Sequence, residues 1–178
     1  MSTTRPEAAS QADLDAVQAQ LGRVPRGVAA VAHRCPCGHP DVLTTEPRLA
    51  DGTPFPTTFY ATCPKLTGAI STLETSGLMR EMTERLGQDP DLASRYAAAH
   101  EDYLGRRAAL GEVSEIAGIS AGGMPTRVKC LHVLVAHSLA AGPGVNPLGD
   151  EALELLDPWW ERHPCSADAP GEIGGVGA

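Results

Sequence analysis

Aromatic side chains are scarce in this chain: Phe, Tyr and Trp together supply 4% of its 178 residues. Stacked rings therefore cannot fill the interior, and Ala, Val and Leu must do so, which favours packed helices. No run approaches the roughly 18 apolar residues of a membrane span, so none is expected. Positive charge is also short, with 14 Lys and Arg against 22 Asp and Glu, a formal net charge of -8. Such a surface repels phosphate backbones and anionic lipid, which argues against nucleic acid and membrane as partners. Neither G-x-x-x-x-G-K-[ST] nor G-x-G-x-x-G occurs, so no nucleotide-binding motif is satisfied.

The opening residues Met1-Ser2-Thr3-Thr4-Arg5-Pro6 lack the apolar run of a secretory signal, and a cytoplasmic location is expected. In a reducing compartment the five cysteines are read as thiols that are buried, reactive or metal-bound, rather than as disulfides.

What is present reads as one α+β domain over residues 12–160, with a disordered 1–11 and a flexible tail over 161–178. Leu14, Val17 and Leu21 share one face of a short helix that Gly22 stops. Residues 27–34, 41–45 and 57–62 carry strand patterns and predict an antiparallel meander. Leu66, Ile70, Leu73, Leu78, Met82 and Leu86 recur at helical spacing, with Gly77 a break between two pieces. Asp89-Pro90 opens a further helix in the order of capping residue, then proline. Thr126 to Ala140 is apolar around most of its circumference and predicts the central helix, and Asp150 to Trp160 a last short one. The expectation is a small sheet of about three strands against four to five helices, with helix dominating.

Chemistry concentrates in two places. Arg34-Cys35-Pro36-Cys37-Gly38-His39-Pro40 is a tight turn with three metal-ligand side chains. In a meander the first and third strands run the same way, so Cys35 and Cys63 emerge at one edge of the sheet. Cys130, near the start of the central helix, would supply a third sulfur, with Cys37, His39, His132 or His137 as a fourth ligand. Within the predicted helix Cys130 and His137 share a face, whereas His132 points about 200° round, so at most one histidine joins the cysteine. Zinc is the expected ion ahead of an iron–sulfur centre, although C-x-C is not the C-x-x-C knuckle that marks zinc sites most strongly. The competing view makes Cys63 and Cys130 small buried hydrophobes, Cys37 and Cys165 incidental surface thiols, and the histidines ordinary partners of backbone or carboxylate.

The second place is Gly122-Gly123-Met124-Pro125-Thr126-Arg127-Val128-Lys129, which joins glycines, a helix start and two cations. Gly122, Gly123, Arg127 and Lys129 would form an anion pocket for a small anionic ligand. A helix end beside Cys130 would also favour its thiolate, making Cys130 the candidate nucleophile if the protein is an enzyme.

Three segments carry a family resemblance: residues 51–57, residues 122–132, and Gly144-Val145-Asn146-Pro147-Leu148-Gly149-Asp150. Over roughly residues 12–156 the chain resembles domain-of-unknown-function family 501, uncharacterised proteins of high-GC Gram-positive bacteria. The resemblance puts Cys35, Cys63, Cys130 and His132 in the family's motifs, and Cys37 and Cys165 outside them, so the first four form the expected metal set. It carries no settled activity. Some members bear a septum-formation label, which implies a metal-free adaptor linked to cell division as an alternative; the chain shows neither the membrane helix nor the coiled coil of a septum initiator.

Overall fold

The computed structural model describes residues 6–161. Helix α1 (Gln11–Leu21) begins at a capping box, in which the Ser10 hydroxyl accepts from the Asp13 amide and the Asp13 carboxylate accepts from the Ser10 amide. Gly22 ends the helix in the left-handed conformation. The buried face of α1 is Asp13, Ala16, Val17 and Gln20, rotated from the expected Leu14–Val17–Leu21 face. The rotation follows from polar anchors: Asp13 pairs with Arg34 at 2.6 Å, and the Gln20 amide donates to the Pro40 carbonyl at 2.8 Å.

Strands β1 (Val28–Arg34), β2 (Pro40–Thr45) and β3 (Phe59–Ala61) form the expected antiparallel meander in the order β1-β2-β3. Residue alternation gives β2 two buried faces. Val42 points into the main core with Phe59 and Leu66, whereas Leu43 joins Val17 and Val31 under α1. Residues ahead of α1 add a bridge, with the Val31 amide donating to the Glu7 carbonyl at 2.8 Å.

On the other side of the sheet lie α2 (Pro64–Glu74), α3 (Leu78–Gln88), α4 (Pro90–Ala108), α5 (Leu131–Ala141) and α6 (Pro147–Leu155). Among the described residues there are six helices against the four to five expected, and Gly77, at φ 87°, makes the expected break between α2 and α3. α5 packs on all three strands and on α2 and α6, and Leu131, Leu134, Val135, Ala136 and His137 have no solvent exposure. It is the central helix, as its all-round apolar pattern predicted.

Several boundaries differ from expectation: β3 covers Phe59–Ala61 of the expected 57–62, and α6 begins at Pro147, ahead of Asp150. α5 starts at Leu131, not Thr126, since residues 122–129 form a closed turn in which the Lys129 amide donates to the Gly122 carbonyl at 2.7 Å. α6 ends at Leu155, and Trp159 and Trp160 pack edge to face beyond it, centroids 4.7 Å apart.

Candidate metal centre

Cys130 occupies the N-cap of α5 in extended conformation (φ -154°), and its side chain caps nothing. The first amide of the helix is satisfied from another element: the Leu131 N–H donates to Glu74 Oε1 at 2.8 Å. Glu74 is the last residue of α2, so this carboxylate ties the end of one helix to the start of the other. The same oxygen lies 3.1 Å from His132 Nδ1. Because Cys130 precedes the helix, the 200° separation expected from helical geometry does not apply, and the side chains of Cys130 and His132 come together.

One ligand atom each from Glu74, Cys130 and His132 lie within 4.8 Å of one another, and all three residues are partly exposed. This is the group of metal-competent side chains among the described residues. The imidazole is oriented from its far edge, where Nε2 faces the Thr67 carbonyl at 3.2 Å and Ser71 Oγ at 3.4 Å. A carbonyl only accepts, so Nε2 carries a proton and Nδ1 is the nitrogen turned to the cluster. The Cys130 sulfur, and then the Glu74 carboxylate, favour the imidazolium and push the His132 pKa up to about 9, although burial opposes it.

The other residues singled out in the sequence lie as follows. Cys35 and Cys63 are buried in the main core and do not join the cluster; Cys63 is the N-cap of α2. Cys37 Sγ and His39 Nδ1 are 3.7 Å apart in the turn between β1 and β2. His137 is fully buried and engaged at both nitrogens, Nε2 with Asp102 at 2.9 Å and Nδ1 with Asn146 Nδ2 at 3.2 Å. Cys165 and the tail from 162 lie outside the described residues, as do residues 1–5.

Gly122 and Gly123 both have positive φ, and each is packed closely: a methyl at Gly122 would meet Leu134 Cδ1 at 2.7 Å, and one at Gly123 the Arg127 carbonyl oxygen at 2.7 Å. Three amides of this turn are already engaged. Arg127 N–H donates to Gly123 O, Lys129 N–H to Gly122 O and Val128 N–H to Thr83 Oγ1. The Arg127 and Lys129 side chains are exposed beside this turn.

Glu74 is the cluster member that sequence inspection missed. Nothing local marks it; the sole hint is indirect, that a helix opening on Cys130 lacks a capping side chain of its own.

The profile of the family described as "Protein of unknown function (DUF501)" matches residues 31–154. The chain belongs to the DUF501 family. The matched region of this DUF501 protein runs from β1 into α6 and contains Glu74, Cys130 and His132, while α1 lies outside it. Neither a curated protein nor a solved structure matches the chain. No helix among the described residues is long and apolar enough to cross a membrane.

Proposed function

We propose that this DUF501 protein binds a divalent transition metal, zinc foremost, through Glu74, Cys130 and His132. The supporting observation is the convergence of a thiol, an imidazole and a carboxylate within 4.8 Å at a partly exposed junction of α2 and α5. Nδ1 would ligate while Nε2–H donates to the Thr67 carbonyl, the arrangement in which an outer hydrogen bond fixes the tautomer of a ligating histidine. One thiol in the cluster suits zinc and falls short of what an iron–sulfur centre requires. Three protein ligands would leave a tetrahedral position open to water or a substrate.

The test is native mass spectrometry and zinc titration of the metal-free full-length chain. One equivalent of zinc is expected, with affinity weakened at least about tenfold in Cys130→Ser and His132→Ala. Cobalt in place of zinc should give a thiolate charge-transfer band that Cys130→Ser abolishes. A wild-type chain that holds no stoichiometric metal, or variants that bind as tightly as wild type, would overturn the proposal.

One observation favours a second reading, a thiol-dependent enzyme acting on an anionic small molecule. Cys130 stands at a helix N-terminus beside a histidine whose pKa it raises, with exposed Arg127 and Lys129 just before it in the chain. That reading predicts rapid iodoacetamide labelling of Cys130 at neutral pH in metal-free protein, lost in His132→Ala. Under the metal proposal, zinc protects Cys130 from labelling.

A further inference from the structure

A guanidinium is expensive to bury, and buried arginines are nearly always paired with a carboxylate. Arg107, in the last turn of α4, is 5% exposed, yet no ion pair among the described residues includes it. Its neighbour Arg106 pairs with Asp102 at 2.6 Å, so the absence is particular to Arg107. Its partners are two backbone carbonyls, Ile116 O at 2.7 Å and Pro56 O at 3.3 Å. Burial pushes its pKa down, and the nearby Tyr103 phenol works against this.

Arg107 also lines a cleft of about 600 Å³ between the end of α4 and residues 111–118. This volume is within the range of small-molecule sites. Leu104, Val113 and Ala117 give the cleft apolar walls, and Arg48 stands at its rim. Arg48 is held there by Glu115 at 2.7 Å and the Gly52 carbonyl at 2.8 Å. Glu112, the one unpaired carboxylate on the lining, is exposed.

We propose that this cleft binds a small molecule carrying an oxyanion, carboxylate or phosphate, on a compact apolar body. The oxyanion would lie against Arg107 with Arg48 assisting from the rim. A planar guanidinium pre-positioned by two carbonyls can give an oxyanion a charge-assisted bond in a low-dielectric setting, where such bonds are strongest. The apolar walls explain why the ligand needs a body as well as a charge. This cleft shares no residue with the Glu74–Cys130–His132 cluster or with the glycine turn.

Calorimetric titration of the full-length chain with benzoate, phenyl phosphate and inorganic phosphate tests the proposal. Saturable binding of benzoate or phenyl phosphate is expected at millimolar concentration or below, tighter than inorganic phosphate, and the preference between the two aromatic probes identifies the oxyanion. Arg107→Lys, which keeps the charge and loses the planar fork, should weaken it about tenfold, and Arg48→Ala about threefold. Should Arg107→Lys fail to fold by circular dichroism, Ala108→Trp decides. Ala108 is an exposed lining residue, and an indole there fills the cleft without entering the core. No saturable binding of any probe to wild type up to about 10 mM overturns the proposal. So does full affinity in folded Arg107→Lys or in Ala108→Trp.

Discussion

At the scale of single residues, the two most consequential side chains are a glutamate and a histidine that each serve two partners. Glu74 accepts from the Leu131 amide and from His132 with one oxygen. Glu74→Gln keeps the shape but loses the charge, so the hydrogen bonds revert to neutral strength. We expect a stability loss of about 1 kcal/mol, read from the urea midpoint, together with weaker zinc binding. His137 lies between Asp102 and Asn146 in full burial, stacked on Phe59 at 5.7 Å and edge to face with Tyr103 at 5.1 Å. His137→Phe would keep the ring packing and leave the buried Asn146 amide without its ring-nitrogen acceptor, while the partly exposed Asp102 keeps Arg106 at 2.6 Å. A loss of roughly 2–3 kcal/mol is expected, larger than from Glu74→Gln because a fully buried donor loses its partner. Equal losses from the two substitutions would mean that the His137 network is worth no more than an ordinary helix cap.

At the scale of elements, the meander and most helices were legible because period 2 and period 3.6 are local signals. β2 alternates Val42 and Leu43 between two cores, and α4 opens on Asp89, whose carboxylate accepts from the Leu92 amide. The start of α5 was not legible. Gly-Gly-x-Pro suits a helix entry, and only the long bond from Lys129 to Gly122 shows that the chain closes a turn first. That displacement of five residues changes the chemistry. It turns Cys130 from a helical residue facing away from His132 into an N-cap residue beside it. Glu74 was hidden for another reason, since tertiary packing alone brings the end of α2 to the start of α5. The glycine of α6 illustrates the same limit. Gly149 fell just before the expected helix start at Asp150, yet it lies inside α6, and a methyl there would be driven into the Leu134 carbonyl and the Ser138 hydroxyl of α5. A backbone carbonyl cannot step aside, so Gly149→Ala should cost about 2–3 kcal/mol and lower Tm by roughly 5–10 °C in a thermal melt. An unchanged Tm would mean that α5 and α6 separate at little cost.

At the scale of the whole molecule, acid sets two effects against each other. From pH 7 towards the sequence pI of about 5.1, the net charge of -8 is titrated away and self-repulsion falls, which favours the folded state modestly. Against this stand carboxylates held below their ordinary range. Burial opposes the charge on Asp102, but bonds from His137 and Arg106 outweigh it and bring its pKa down to about 2. The hydrogen bond from Arg34 lowers Asp13 in the same direction. A depressed folded-state pKa gives stability that is present above the unfolded value near 4 and lost as pH falls towards the folded value. The Asp102 share is roughly 2 kcal/mol. In the window from 7 to 5 neither carboxylate titrates in either state, while His132, raised to about 9, contributes stability that is complete only below its unfolded value near 6.5; with the relief of repulsion this makes the urea midpoint hold level or rise slightly. Below pH 4 both effects turn the same way, since the unfolded chain takes up protons that the folded chain refuses while the surplus of Lys, Arg and His becomes a net positive charge. The urea midpoint should therefore fall steeply between about pH 4 and pH 2. Asp102→Asn should make that fall shallower, because one of the protons driving it is gone, at the expense of a lower midpoint at pH 7. A variant as acid-sensitive as wild type would locate the acid-labile charge elsewhere, with the Asp13–Arg34 pair the next to test.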